Sequence, residues 1–365
     1  MNADRCWAEI SSAAMRHNAS VAQRRVGPGV ALLGVIKANG YGHGLAAVAK
    51  AIENDAQLFG VANLEEAFEA RGAVPHPILI LGPALDVERE AIVEHGFIAT
   101  ISSFEEARAF AAAARTGTAF VDCEIDTGMG RMGIAEADAL RELHQIAALP
   151  QVKIHSISTH LPSADEDPDY TREQLTRFSA LVRQIRAQIA GDYKVHALLS
   201  AGILGYNDEC FDIARLGLAL YGVSPDPKFQ DELRAPLTWK SRVVLLRDIP
   251  VGTAVSYGRT WTAARPTRVA TLSVGYADGY PRSLSHRGAS VLIRGQRCPG
   301  IGRVTMDLTL VDVTDAPNVS LGDEVVLIGR QGDEEISARE IADRAGTIAW
   351  EVFTGIGARV TRVYL

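Results

Sequence analysis

The stretch Ala31-Leu-Leu-Gly-Val-Ile-Lys37-Ala-Asn-Gly40-Tyr41-Gly42-His43-Gly44 runs an apolar segment into a lysine and then into three closely spaced glycines. A short continuous apolar run bounded by turn residues marks a strand buried on both faces, and it predicts a strand over 31–38. Lys37 then sits at the carboxyl end of that strand, where burial lowers an amine's pKa toward its neutral, nucleophilic form. The glycines permit positive φ and close backbone approach, and Tyr41 and His43 add polar groups suited to an anionic ligand.

Similar runs follow at 58–63, 77–81, 97–101, 120–126, 152–160, 194–200 and 213–218, making eight candidate strands. Between them lie helical patterns at 64–73, 104–116, 136–149 and 170–190. Three of these open with capping boxes: Asn63 with Glu66, Ser103 with Glu106, and Thr171 with Gln174. Eight alternations of strand and helix predict an α/β fold, a parallel (β/α)8 TIM-type barrel with its reactive groups at the carboxyl ends of the strands. After Tyr221 the rhythm breaks, and 224–236 holds three prolines. Strand patterns without crossover helices follow at 243–246, 269–274, 290–293, 309–313 and 325–328, with one short helix capped by Ser337 and Glu340. The predicted organisation is a barrel over 11–235 and a mainly antiparallel β domain over 236–365, which a strand within residues 1–10 joins.

Bulk properties exclude several functions. A net charge of −7 argues against nucleic acid or an anionic membrane as the main partner. Cys6, Cys123, Cys210 and Cys298 are far apart, with no metal-ligand spacing, which points to reduced thiols, no metal and the cytoplasm. The N-terminal residues lack an apolar signal core, and no run approaches 18 apolar residues, so neither a signal peptide nor a membrane span is expected.

Further strings fall at predicted strand ends. Asp126-Thr-Gly-Met-Gly-Arg131 follows the fifth strand, on the rim that holds Lys37, where an arginine could bind a substrate carboxylate. His160 ends the sixth strand, Ser200 the seventh, and Arg215-Leu-Gly217-Leu218 the eighth; loops after the last barrel strands commonly cradle phosphate. The β domain carries Ser273-Val-Gly-Tyr276-Ala-Asp-Gly-Tyr280 and Gly302-Arg-Val-Thr-Met306-Asp307.

Taken in order, these strings resemble the alanine racemases, pyridoxal-phosphate enzymes of fold type III, and the resemblance runs from about Trp7 to Tyr364. It implies racemisation of L- and D-alanine, supplying D-alanine for cell-wall peptidoglycan, with pyridoxal 5'-phosphate as cofactor. Lys37 would carry the cofactor and act as one base, and Tyr276 would act as the second from the opposite face. Tyr41, His160, Ser200, Arg215, Gly217, Leu218 and Trp350 would contact the cofactor, and Arg131 and Met306 the substrate. Tyr276 and Met306 would come from the partner subunit, which implies a homodimer with composite sites. Arg215 would face the cofactor's ring nitrogen, and because a guanidinium does not give up its proton the ring would remain a restrained electron sink. Arg131 and His160 are candidates for the cations that help Tyr276 lose a proton.

The chain departs from the family pattern in three places. Glu124 stands where the family often has a carbamylated lysine and is expected to supply a permanent negative charge, with Asp307 as a further supporting carboxylate. Leu199 stands where asparagine is common, and Trp350 where tyrosine is common. Serine or another small amino acid is the alternative substrate. A decarboxylase of the same architecture and a non-catalytic cofactor carrier are the rival classes, against which Arg215 and the Tyr276 string speak.

Overall fold

The computed structural model describes residues 4–206 and 210–365. Among them the chain divides into two compact units, one of Met15–Gly40 with Leu45–Arg234, the other of the segments up to Ala14, Tyr41–Gly44 and Ala235–Leu365. The N-terminal residues 1–3 lie outside the described residues.

In the first unit the strands Ala31–Val35, Leu58–Val61, Ile78–Ile80, Ile98–Ile101, Ala119–Asp126, Val152–Ser158, Lys194–His196 and Ile213–Leu216 pair in parallel, and the last returns to the first. This is the closed eight-stranded barrel that the alternation predicted. The strands end earlier than their apolar runs do. Hydrophobicity marks burial, and the buried loops at the strand ends share it, so Lys37 lies two residues beyond its strand and Ser200 begins a short helix, Ser200–Gly205.

Two caps form as expected, Asn63 accepting from the Glu66 amide and Ser103 from the Glu106 amide. The Thr171 box does not. That helix starts at Pro168 behind Asp167, whose side chain accepts from the Tyr170 amide, and Thr171 lies one turn inside it. The overlooked signal was proline at the first helical position.

Within the barrel, a β-carbon added at Gly60 would lie 2.7 Å from Leu33 and 3.0 Å from Leu81, so these residues share the inward face of the first strands. The later strands present Asp122, Glu124, Ser156, Ser158, His196 and Arg215, all buried. A register shift between Val121 and Asp122 sets Asp122 opposite Ser156 and Glu124 opposite Ser158, leaving His155 as the extra residue of its strand. Side chains alternate along a strand, so without this bulge Ser156 and Ser158 would face away from the two carboxylates.

In the second unit nine strands form one sheet, antiparallel except where Cys6–Ile10 runs parallel to Thr361–Tyr364. Cys6–Ile10 also pairs antiparallel with the long strand Leu237–Ile249, which places the N-terminal segment in this unit. Besides the helix capped by Ser337, Ala338–Ala345, a second helix at Ala349–Thr354 carries Trp350.

Candidate active site

Lys37 stands at the mouth of the barrel. Burial lowers its amine's pKa, the positive charge of Arg131 lowers it further, and the carboxylate of Glu66 opposes both. The backbone after it coils left-handed, with φ of 53° at Ala38, 54° at Asn39, 59° at Gly40, 50° at Tyr41 and 76° at Gly42. Each non-glycine residue held this way costs about 1–2 kcal/mol. Side chains secure the turn: Glu66 Oε1 accepts from the Ala38 amide at 2.7 Å while Oε2 accepts from the Ala62 amide at 2.8 Å, and Asn39 Oδ1 accepts from the Leu45 amide at 3.0 Å. Glu66, expected only as a capping residue, therefore also braces the turn that follows Lys37.

The glycines of the string have separate reasons. A β-carbon at Gly42 would lie 2.1 Å from the Phe353 carbonyl oxygen, so that position admits only glycine. His43 turns inward instead of toward a ligand: it is fully buried, its Nδ1 lies 2.8 Å from the Tyr41 carbonyl, and its ring packs edge-on against Phe353. Tyr41 is buried as well, which pushes its phenol up to about 12.

Asp126 builds the loop that carries Arg131. Its Oδ1 accepts from the amides of Gly128, Met129 and Gly130 at 2.9, 2.8 and 3.1 Å, which holds this carboxyl below its ordinary range against the opposing effect of partial burial. Arg131 itself is exposed and acts through its charge. Burial pushes Glu124 up to about 7, Asp122 reinforces the rise, and Arg215 and Arg131 oppose it. Glu124 is thus about half-protonated near neutral pH, which corrects the expectation of a permanent negative charge.

His160 is pushed down to about 3, first by burial and then by Arg215, Arg131 and Lys37. It is neutral at physiological pH, so the expectation that it supplies a cation is also corrected.

Arg215 is buried at the end of the last barrel strand. Its Nη2 donates to the carbonyls of Thr159 and Ala197, both at 2.7 Å, and Nη1 to His196 Nδ1 at 3.2 Å. Beside it Ser200 Oγ accepts from the amides of Gly217 and Ala219, each at 3.1 Å, with Leu218 between them. Leu199 is the N-cap of the Ser200 helix and makes no side-chain capping bond.

In the β unit the Tyr276 turn is joined to the Met306 loop: the Tyr276 amide donates to the Thr305 carbonyl at 3.0 Å and the Ala277 amide to the Met306 carbonyl at 2.9 Å. Gly275 permits this approach, because a β-carbon there would lie 2.3 Å from both of those oxygens. Buried Asp278 accepts from the Gly275 amide and from Arg359, and Arg359 also donates to Asp307 at 2.9 Å. Tyr276 and Met306 are 41% and 53% exposed, unusual for large residues on so fixed a backbone. Trp350 is half-buried on its helix. No metal-binding cluster and no helix long and apolar enough to cross a membrane occurs among the described residues.

A closed barrel that holds a desolvated lysine at its mouth, followed by a β unit that displays a tyrosine, defines a class of two-unit barrel proteins. Family profiles narrow the class. The alanine racemase N-terminal domain matches residues 10–225 and the alanine racemase C-terminal domain residues 236–364. Alanine racemase of Symbiobacterium thermophilum is 43% identical over 365 residues, covering 98% of this chain and 96% of that protein. Alanine racemase of Methylacidiphilum infernorum is 40% identical, covering 99% and 92%. Among solved structures, alanine racemase from Bacillus anthracis with bound L-Ala-P superposes with a TM-score of 0.92 at 31% identity, covering 100% of this chain and 96% of that one. The biosynthetic alanine racemase of Pseudomonas aeruginosa gives 0.89 at 34%, covering 99% of each. The chain belongs to the alanine racemase family, and its activity is that of an isomerase, an amino-acid racemase.

Proposed function

We propose that the chain interconverts L- and D-alanine with pyridoxal 5'-phosphate, using Lys37 and Tyr276 as its two bases. The observation that carries this reading is the Lys37 environment, where burial and Arg131 favour the neutral amine that a cofactor aldehyde requires. The other donors fit the same group. Ser200 Oγ accepts from the Gly217 and Ala219 amides and keeps its own O–H to donate to a phosphate oxygen, and Arg215 offers only N–H donors to an unprotonated ring nitrogen. Tyr41 and Trp350 are the hydroxyl and indole donors that the family resemblance assigns to the cofactor, and His160, held neutral, is suited to lie against an uncharged face of it.

When bound, pyridoxal phosphate supplies a conjugated ring that stabilises negative charge at the substrate α-carbon. The protein's residues move the proton. The Lys37 amine takes the α-proton of D-alanine on one face, and the Tyr276 phenol takes that of L-alanine on the other, the assignment the family resemblance implies. Arg131 binds the substrate carboxylate. Met306 bounds the space for its side chain, and Asp307, through Arg359, holds the Tyr276 turn in place.

The exposure of Tyr276 and Met306 on a rigid loop supports a homodimer in which a second copy of the chain covers them and receives them into its site. The buried thiols of Cys6, Cys123 and Cys298, none of them in a disulfide, support a reducing compartment, the cytoplasm, where D-alanine would serve peptidoglycan synthesis.

The test is NMR of α-proton exchange and chirality for L-alanine and L-serine in heavy water, with purified protein and pyridoxal phosphate. Exchange with inversion, faster for alanine, is expected. Faster serine inversion would replace the substrate, and absence of exchange with both would remove the proposed activity.

A further inference from the structure

The barrel interior holds a buried polar chain that the proposed reaction does not use. Asp122 is 1% exposed; its Oδ1 accepts from Ser156 Oγ and its Oδ2 from Ser158 Oγ, each at 2.7 Å. His196 Nε2 lies 3.2 Å from Asp122 Oδ1, at an angle too bent for a full hydrogen bond. On the other side of the ring, Arg215 Nη1 lies 3.2 Å from His196 Nδ1. Arginine has no acceptor, so Nδ1 must be the unprotonated nitrogen and Nε2, facing the carboxylate, must carry the hydrogen. The interior of such a barrel is ordinarily packed with branched apolar side chains, and a buried carboxylate costs several kcal/mol unless it is satisfied. Here a β-bulge at His155 brings both serines onto Asp122. The carboxyl is held down at about 2: burial alone would raise it, and the electrostatic pull of nearby His196 with the bonds of Ser156 and Ser158 prevails.

We propose that Asp122 is a positioning residue that acts through His196, fixing the tautomer and tilt of that ring so that Arg215 is held against the cofactor's ring nitrogen. The proposal rests on the reading that Arg215 faces the cofactor. If the hydrogen moved to Nδ1, His196 would present a donor to a donor. Arg215 would lose that bond and be held only by the carbonyls of Thr159 and Ala197.

The test uses the full-length protein as Asp122→Asn, His196→Asn and the double variant, with three readouts: the cofactor dissociation constant from titration of the apoprotein, kcat against KM for alanine, and the nitrogen-15 NMR signals of the His196 ring. Each single variant is expected to weaken cofactor binding and lower kcat by roughly tenfold, the size lost when a supporting partner one step behind a ligand is removed, with KM little changed. The double variant should lose no more than either single one, because both interrupt the same chain. The ring signals should change from one protonated and one acceptor nitrogen to a mixture of tautomers in Asp122→Asn.

Additive losses, or a folded Asp122→Asn with unchanged cofactor affinity and ring signals, would overturn the proposal. Should Asp122→Asn fail to fold, Ser158→Ala keeps the carboxylate but frees one of its oxygens. It should show a smaller loss in the same quantities, and no change in them would count against the proposal. Arg215→Lys separates the two levels. If it leaves cofactor affinity and kcat unaltered, the reading of Arg215 falls and Asp122 with it. If Arg215→Lys loses both while Asp122→Asn loses neither, only the role of Asp122 falls.

Discussion

The two halves of the barrel interior differ in kind. On the first strands the inward face carries Leu33, Gly60 and Leu81, packed so closely that Gly60 leaves no space for a β-carbon. On the later strands the same face carries Asp122, Glu124, Ser156, Ser158, His196 and Arg215. One half binds the fold together by excluding water. The other stores charge in a low dielectric, where each group's state depends on its neighbours. Lys37 stands at the end of the apolar half, with Arg131 and Arg215 close enough to lower its pKa.

The largest expected effect breaks the one reactive link in the apolar half. Lys37→Ala should lower kcat by at least about 10⁴-fold and abolish the yellow absorbance of the lysine-bound cofactor, read by spectrophotometry. A pure packing loss in the same half should behave otherwise. Leu33→Ala is expected to cost about 2–5 kcal/mol, seen as a lower urea midpoint, with the pH profile of stability unchanged in shape.

The polar half should instead show itself through pH. Glu124 rises from its ordinary 4.5 to about 7 on folding, so between those values the folded chain holds a proton that the unfolded chain has released. Stability contributed by the neutral form is full below about 4.5 and falls as pH rises to about 7, by on the order of 3 kcal/mol. Glu124→Gln should remove that decline, so that denaturant melts at pH 5 and pH 8 differ less than in the parent. The smallest effect concerns Leu199, an N-cap without a capping bond. Leu199→Asn should raise thermal stability by about 0.5–1 kcal/mol, measured by calorimetry.

Much of this contrast was legible in the sequence. Apolar runs located all eight strands, because a strand buried on both faces leaves a continuous hydrophobic signature. Lys37 stood out because it interrupts such a run. What escaped was whatever depends on register between distant strands. The bulge that turns Ser156 and Ser158 toward Asp122 is a single extra residue, and the sequence around His155 carries no mark of it. Glu66 read as a cap for its own helix, and its reach back to the Ala38 amide depends on how neighbouring strands close. The states of His160 and Glu124 were misjudged for a related reason. A residue type states the charge a group carries in water, and burial among other charges decides the charge it carries here.

The measurement that bears most directly on the two-base arrangement is deuterium entry at the α-carbon of each alanine enantiomer in heavy water, catalysed by Tyr276→Phe. The variant should keep its cofactor colour, lose exchange from L-alanine by roughly 10²–10⁴-fold and retain exchange from D-alanine through Lys37. Exchange from L-alanine at the parent's rate would contradict the assignment of Tyr276 as the second base.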